Sequence, residues 1–388
     1  MKKKIAILGS TGSIGRTLIE ILKKDKKKIE VVLLTANKNT KEILKQVKFF
    51  KPKNLIISDV KEFLKIKKKL RKTKINLFND FRLLNKVFKR KQIDYTMSSI
   101  SGLDGLDPTL KIIKYTKKIA IANKESIICA WSLIKNELDK NKTIFIPVDS
   151  EHFSVWSLIN QTKDKDIEKV YLTASGGPFL NLPLKKYKSI TVEEALKHPN
   201  WQMGKKISID SATMMNKVFE IIEAKKIFTL NYKKLEILIH KRSYAHALIK
   251  FKNGITKILI HDTNMTIPIF NSLYSNHEKK LVSKKIDFTI LNNLNFEKID
   301  KKRFPVISIL NTLTNKNTLF ETVIVSANDK LVNLFLDKKI KFTDISKILL
   351  KIIYHKDFKK FRAIIPRNVE QIKKISNYVS LKIDSLSI

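Results

Sequence analysis

The short apolar run from Lys4 to Leu8 passes straight into Gly9-Ser10-Thr11-Gly12-Ser13-Ile14-Gly15, and an amphipathic helical pattern follows from Thr17 to Leu22. Glycines at this spacing let the turn tighten and let backbone amides approach a pyrophosphate, and the helix N-terminus behind them favours negative charge. Glycines in a turn are also used for structure alone, so the reading as a dinucleotide site depends on the strand, turn and helix context. That context commits the chain to a βαβ beginning. Further strand-like runs recur at Glu30 to Leu34, Leu55 to Ser58, Tyr95 to Ser98, Ile119 to Ala122 and Thr143 to Val148, separated by lysine-rich helical patterns. This rhythm predicts a doubly wound parallel sheet.

The texture changes after Asp149. Strands such as Val170 to Thr173 and Leu235 to His240 are set among dense polar motifs. Asn276 to Lys301 is polar and poorly periodic, as a surface linker would be, and from Phe304 onward apolar residues recur at three and four. A length of 388 residues, at roughly 150 per domain, accommodates two or three domains. The expected architecture is α/β. An N-terminal Rossmann-like doubly wound parallel sheet (1–149) binds the nucleotide and a central α+β catalytic domain (150–274) carries the site and a flap loop. A linker (275–302) then leads to a small C-terminal helical bundle (303–388).

Charge is the second constraint. Lys plus Arg number 78 against 36 Asp plus Glu, a formal net charge of +42, while a hydrophobic share of 43% is too high for a disordered polycation. Only eight of the 78 are Arg, and lysine is scattered along the whole chain beside abundant Ile and Asn. Readers of nucleic acid favour Arg for bidentate contacts, and none of their common motifs is present. Drift toward A/T-rich codons yields the same mixture, so no specific nucleic-acid partner is expected, although a nucleic-acid-binding protein on a Rossmann-like scaffold is the alternative that the charge keeps open. The lone Cys129 and the absence of zinc-like Cys/His spacing point to a reducing, cytoplasmic setting, and no apolar stretch approaches the ~18 residues of a membrane span.

Five motifs carry chemistry. The second strand runs into Thr35-Ala36-Asn37-Lys38-Asn39. An acid to hold a ribose hydroxyl is missing there, while Lys38 and Asn39 suit a 2′-phosphate, which favours NADP over NAD. Asp149-Ser150-Glu151 follows a strand, and alternation in extended chain would bring the two carboxylates to one side, where hard oxygen ligands suit Mg²⁺ or Mn²⁺; an exposed acidic turn is the other reading. Asp210-Ser211-Ala212-Thr213 looks like a helix start. Thr213, Asn216, Lys217 and Glu220 would then share a polar face able to hold a phosphate and reach a metal, or simply face solvent. Ala174-Ser175-Gly176-Gly177-Pro178 offers a phosphate cradle or hinge. The segment from His198 through Trp201 and Met203 to Gly204 reads as a lid or as a loop anchored by its tryptophan.

Taken in order, six stretches resemble the 1-deoxy-D-xylulose 5-phosphate reductoisomerases. These are Gly9 to Gly15, Ala122-Asn123-Lys124-Glu125-Ser126, Pro147 to His152, Ser175-Gly176-Gly177-Pro178-Phe179, His198 to Gly204, and Ser208 to Lys217 with Glu220. The resemblance spans nearly the whole chain. It implies an NADP-dependent oxidoreductase that rearranges and reduces 1-deoxy-D-xylulose 5-phosphate to 2-C-methyl-D-erythritol 4-phosphate, as a cytoplasmic homodimer. It also implies residue roles. Thr11, Gly12, Ser13, Ile14, Lys38, Asn39, Asn123, Glu125 and Gly204 would contact NADPH. Asp149, Glu151 and Glu220 would hold one divalent cation and, with Lys124, form the catalytic set. Ser150, Ser175, His198, Ser211, Asn216 and Lys217, with Lys124, Glu151 and Glu220, would bind the sugar phosphate, and Trp201 and Met203 would belong to the flap. Asn37, Lys241 and the Asn264-Met265-Thr266 run depart from the family pattern, the last two near expected subunit contacts. A different NADP-dependent dehydrogenase would share the glycine turn but would leave the other motifs without a purpose.

Overall fold

The computed structural model describes residues 1–159, 166–201, 203–274 and 279–386. Within it the chain forms two compact units. The first comprises Met1–Ser126, Ser132–Asp149 and Met265–Val282, and the second comprises Ile127–Trp131, Ser150–Asn264 and Ser283–Ile388.

In the first unit seven strands are β1 (Lys3–Leu8), β2 (Ile29–Ala36), β3 (Asn54–Ile57), β4 (Asn76–Phe78), β5 (Ile93–Ser98), β6 (Thr116–Ile121) and β7 (Ile144–Pro147). They lie in the order β4-β3-β2-β1-β5-β6-β7, all parallel. The order reverses between β1 and β5, the switch point at which doubly wound sheets bind ligands. β2 and β3 are buried along almost their whole length, and residues 31–34 and 55–57 are apolar without alternation, as in a strand covered on both faces. Ile5, Ile7, Leu34 and Leu55 are all completely buried, and each such side chain contributes about 1.5–3 kcal/mol relative to exposure.

The helix Thr266–Leu273 belongs to this first unit, although the sequence division assigned it to the central domain. The physical reason is packing. Ile269, Phe270, Leu273 and Tyr274 join the same apolar cluster as Leu18, Ile19 and Leu22. Lys3 Nζ donates to the Leu273 carbonyl at 2.8 Å, Tyr95 and Ser272 share a hydroxyl pair at 2.7 Å, and Tyr274 Oη donates to Asp25 Oδ2 at 2.9 Å.

The second unit is built on a mixed sheet of β8 (Ile167–Ala174), β9 (Leu235–Ile239), β10 (Ala245–Phe251), β11 (Thr256–Ile260) and β12 (Glu297–Lys298), in the order β11-β10-β8-β9-β12. β8 and β9 pair in parallel, so the chain between them must cross over, and that crossover carries nearly every polar motif of the unit. β12 comes from the segment read above as a linker, of which 275–278 lie outside the described residues. Two exposed residues pair with β9 by backbone alone, which leaves no hydrophobic pattern to read. In the C-terminal part, Phe320–Leu336, Phe342–Tyr354 and Val369–Asp384 pack as α-helices, and Pro305–Thr312 winds as a 3₁₀ helix. The bundle packs within the same compact unit as the mixed sheet.

Candidate active site

In the first unit the glycine turn is set by contacts that leave no slack. Gly9 N donates to Thr35 Oγ1 at 2.8 Å, Ser10 N donates to the Thr35 carbonyl at 2.9 Å, and Gln46 Nε2 donates to the Ser10 carbonyl at 3.0 Å. Thr35 and Gln46 are thus supports of the loop that the motif reading did not single out. Their only sequence signal was position, at the end of β2 and inside the next helix. Gly12 and Ser13 are exposed at the start of the Ser13–Lys23 helix, with Thr11 and Ile14 half-buried beside them. Asn37, Lys38 and Asn39 are exposed after β2, and Asn39 Oδ1 caps the next helix by accepting from Glu42 N at 3.1 Å.

Asn123 is buried and its side chain is committed to the fold. Its Oδ1 accepts from Ser126 N at 2.7 Å as the N-cap of Lys124–Asn141, and its Nδ2 donates to the carbonyls of Ile100 and Gly102. Any contact it makes with a cofactor therefore falls to its backbone. Lys124, the first residue of that helix, pairs with Asp149 Oδ2 at 2.5 Å. Glu125 is buried beside it.

In the second unit a buried ammonium lies between two acids. Lys217 Nζ is 2.7 Å from Glu151 Oε1 and 2.5 Å from Glu220 Oε2. Burial alone would lower the Lys217 pKa, but Glu151 and Glu220 outweigh it and raise it above the ordinary value. Asn216 Nδ2 donates to Glu220 Oε1 at 2.5 Å, and Ser150 Oγ donates to Glu151 Oε2 at 2.6 Å. Carboxylate oxygens of Glu151 and Glu220 lie within 4.8 Å of each other, a donor set of hard oxygens that fits Mg²⁺ or Mn²⁺. Beneath them, His152 is fully buried, with Nε2 2.9 Å from the Glu220 carbonyl and Nδ1 3.5 Å from Glu223 Oε2.

Two local expectations are corrected. Glu151 does not reach its place by alternation in extended chain, because it sits in the first turn of the helix Ser150–Leu158, immediately after Asp149 and Ser150. Asp210-Ser211-Ala212-Thr213 is not a helix start. It closes the helix Lys205–Ala212, and after Met214, left-handed at φ 68 and ψ 7, a new helix runs Met215–Phe228. Thr213 therefore leaves the shared face, while Asn216, Lys217 and Glu220 keep it. Lys217 and Glu220 on that face are buried and Asn216 is half-buried, which removes the solvent-facing reading.

The two loops converge through one imidazole. His198 Nδ1 accepts from Asn200 N at 3.1 Å and Trp201 N at 3.0 Å, so its proton resides on Nε2, which donates to Ser175 Oγ at 3.1 Å. Gly177 N also donates to Ser175 Oγ, at 3.1 Å, which leaves the serine's own proton as a donor. Trp201 stands edge-on to His246 with centroids 6.1 Å apart, and Met203 is half-buried; Gln202, between them, lies outside the described residues. Gly204 is the N-cap of Lys205–Ala212, exposed. Of the departures noted above, Lys241 accepts from Asn200 Nδ2 through its carbonyl at 2.7 Å and ion-pairs with Glu297 at 2.8 Å.

Burial, then the Lys217 ammonium, push the His198 pKa down to about 4. The ligand-free protein is therefore expected to keep His198 neutral and Nε2-protonated from pH 8 to well below 6. Because the folded value lies below the unfolded ~6.5, the stability this residue contributes is complete above ~6.5 and is lost as pH falls toward about 4. Long-range ¹H–¹⁵N NMR checks this, and an Nδ1–H tautomer or a midpoint near 6.5 would contradict it.

A glycine turn at the switch point of a parallel sheet, with a carboxylate site formed by the helix ahead of a second sheet and a helix of its crossover, defines an α/β dinucleotide-dependent enzyme. Comparison narrows the class. Family models described as 1-deoxy-D-xylulose 5-phosphate reductoisomerase, its C-terminal domain, and the DXP reductoisomerase C-terminal domain match residues 5–131, 145–228 and 261–380. The reductoisomerase of Pelagibacter ubique (strain HTCC1062) is 63% identical over 387 residues, covering 100% of both chains. That of Sulfurihydrogenibium sp. (strain YO3AOP1) is 38% identical, covering 93% of each. The solved Zymomonas mobilis enzyme in complex with NADPH superposes with a TM-score of 0.89 at 31% identity over 100% of both chains. A solved DOX-P reductoisomerase in complex with NADPH, fosmidomycin and magnesium gives 0.90 at 28% identity, covering 99% of this chain and 98% of that one. The chain belongs to the 1-deoxy-D-xylulose 5-phosphate reductoisomerase family.

Proposed function

We propose that this chain performs its family's reaction, the NADPH- and divalent-cation-dependent rearrangement and reduction of 1-deoxy-D-xylulose 5-phosphate to 2-C-methyl-D-erythritol 4-phosphate in isoprenoid precursor synthesis. The observation that carries the reading is the arrangement of Glu151 and Glu220 about the buried Lys217 ammonium, in a chain this close to its relatives. Asp149, Glu151 and Glu220 hold one cation, Mg²⁺ or Mn²⁺, which when bound supplies Lewis acidity toward the vicinal oxygens of the ketose.

The remaining work belongs to the chain's own side chains. Ser211, Asn216 and Lys217 hold the phosphate, and the proton that Ser175 keeps free of His198 and Gly177 adds a donor. A neutral His198 holds Ser175 and the turn leading to Trp201 in register, so the flap residues Trp201 and Met203 close over the substrate from a fixed base. Lys124 sets the charge at Asp149 beside the substrate. The glycine turn, Lys38, Asn39 and the backbones at Asn123 and Gly204, with Glu125, bind NADPH. Phosphate binding remote from the reacting carbons supplies energy for closure and exclusion of water.

Among the described residues no helix is long and apolar enough to cross a membrane. A cytoplasmic homodimer is part of the same reading, with β11 as an available edge strand bearing the exposed Ile258. Purified protein with NADPH and Mn²⁺ is expected to oxidise NADPH only after 1-deoxy-D-xylulose 5-phosphate is added. Absence of turnover with that ketose would overturn the assignment.

A further inference from the structure

The corner where Lys205–Ala212 meets Met215–Phe228 is held by a third helix, Phe320–Leu336 of the C-terminal bundle. Asn328, fully buried, donates from Nδ2 to Asp210 Oδ1 at 2.7 Å. Its neighbour Asp329 pairs with Lys206 at 2.9 Å, and Lys206 Nζ also lies 3.4 Å from Asp210 Oδ2. On the other arm, Lys226 pairs with Glu321 at 3.1 Å, both side chains buried. One helix therefore grips both arms of the corner.

The joint between those arms is strained. Met214 is buried and left-handed, a conformation that is unfavourable for an ordinary residue and persists only where its surroundings impose it. On the same turn, a Cβ at Gly177 would lie 2.9 Å from the Ser211 carbonyl, so the loop carrying Ser175 rests directly on it. Ser211 follows Asp210 immediately, and Asn216 and Lys217 open the second arm.

We infer that Asn328 is a positioning residue for the substrate's phosphate: through Asp210 it sets Ser211 and, across the strained joint, Asn216 and Lys217. The inference rests on the assignment of those three residues to the phosphate. Of the two ends of the Asn328 amide, only the donor end can meet the buried Asp210 carboxylate. A carboxylate in its place would set two acids face to face, and an apolar side chain would take a donor away.

Steady-state kinetics and NADPH titration test this. Asn328→Asp is expected to raise KM for 1-deoxy-D-xylulose 5-phosphate about 30-fold, with kcat within about threefold and NADPH affinity within about twofold of wild type. The exchanged pair D210N/N328D restores the hydrogen bond with donor and acceptor reversed, and is expected to recover most of the loss. An unchanged KM, an equal loss in NADPH affinity, or an exchanged pair no better than the single variant would overturn the role. If Asn328→Asp does not fold, Asn328→Ala decides by the same split, with about a tenfold rise in KM expected. Wild-type protein that does not turn over the ketose would remove the function itself; active wild type with an unaffected variant removes only the positioning role.

Discussion

Glu220→Gln is expected to lower kcat/KM for 1-deoxy-D-xylulose 5-phosphate by at least about 10³-fold, or ~4 kcal/mol of transition-state stabilisation, while NADPH still binds. The substitution is nearly isosteric, so what it removes is charge. Glu220 is buried, with Asn216 Nδ2 on one carboxylate oxygen and Lys217 Nζ on the other. A glutamine offers a metal one neutral oxygen in place of a carboxylate, and hard divalent cations bind such sets much more weakly. It also leaves Lys217 with Glu151 as its remaining acidic partner of the two, so some loss of thermal stability is expected as well. Two measurements separate the effects. Isothermal titration with Mn²⁺ should show weakened binding in the variant, and NADPH titration should give an affinity within about twofold of wild type. Full activity in the folded variant would take Glu220 out of the metal site.

Gly15→Ala is expected to abolish useful NADPH binding, with a loss of affinity of about 100-fold or more, because one methyl has nowhere to go. A Cβ at that position would lie 2.4 Å from the Gly9 carbonyl oxygen, 2.6 Å from Ser10 Cα and 2.8 Å from Ser10 C. All three are backbone atoms, so no side chain can swing aside. Either the Ser13–Lys23 helix retreats from β1 or the turn moves, and the turn is tied to Thr35 and Gln46. Overpacking of this kind also costs about 1–3 kcal/mol of stability. Gly12→Ala is the control for folding alone, since its Cβ would meet only the Gly9 carbonyl, at 3.4 Å, and the fold should accept it although Gly12 is itself among the proposed NADPH contacts. Fluorescence titration of NADPH against both variants checks the expectation; equal affinity in Gly15→Ala and wild type would show that the turn is not the pyrophosphate site.

Local pattern carried much of this protein. The parallel sheet was legible because several of its strands carry an uninterrupted apolar run, at 5–8, 31–34 and 55–57, bounded by helical patterns, as a strand buried on both faces does. The glycine turn was legible because its chemistry is backbone chemistry, written in the spacing of three glycines. What the sequence could not carry was any relation that depends on a residue far along the chain. β4 and β12 are too short to have a period, and the placement of Thr266–Leu273 rests on contacts with residues some 250 positions earlier, such as Asp25.

The site divides in the same way. Residue types along the chain marked Asp149, Glu151, Lys217 and Glu220 as candidates, while an exposed acidic turn and a solvated helix face stayed open as other readings; it was the resemblance of six ordered motifs to one family that grouped them into a site. Only the tertiary structure decided how they meet: Glu151 arrives on a helix rather than an extended strand, Met214 breaks one helix into two, and Lys217 is buried between two acids. It alone revealed the grip of Asn328 on Asp210, 118 residues away. The reason is that propensity and periodicity act over one or two turns of chain, whereas a buried charge is settled by whichever partner the completed fold brings within 3 Å, and nothing local records that choice.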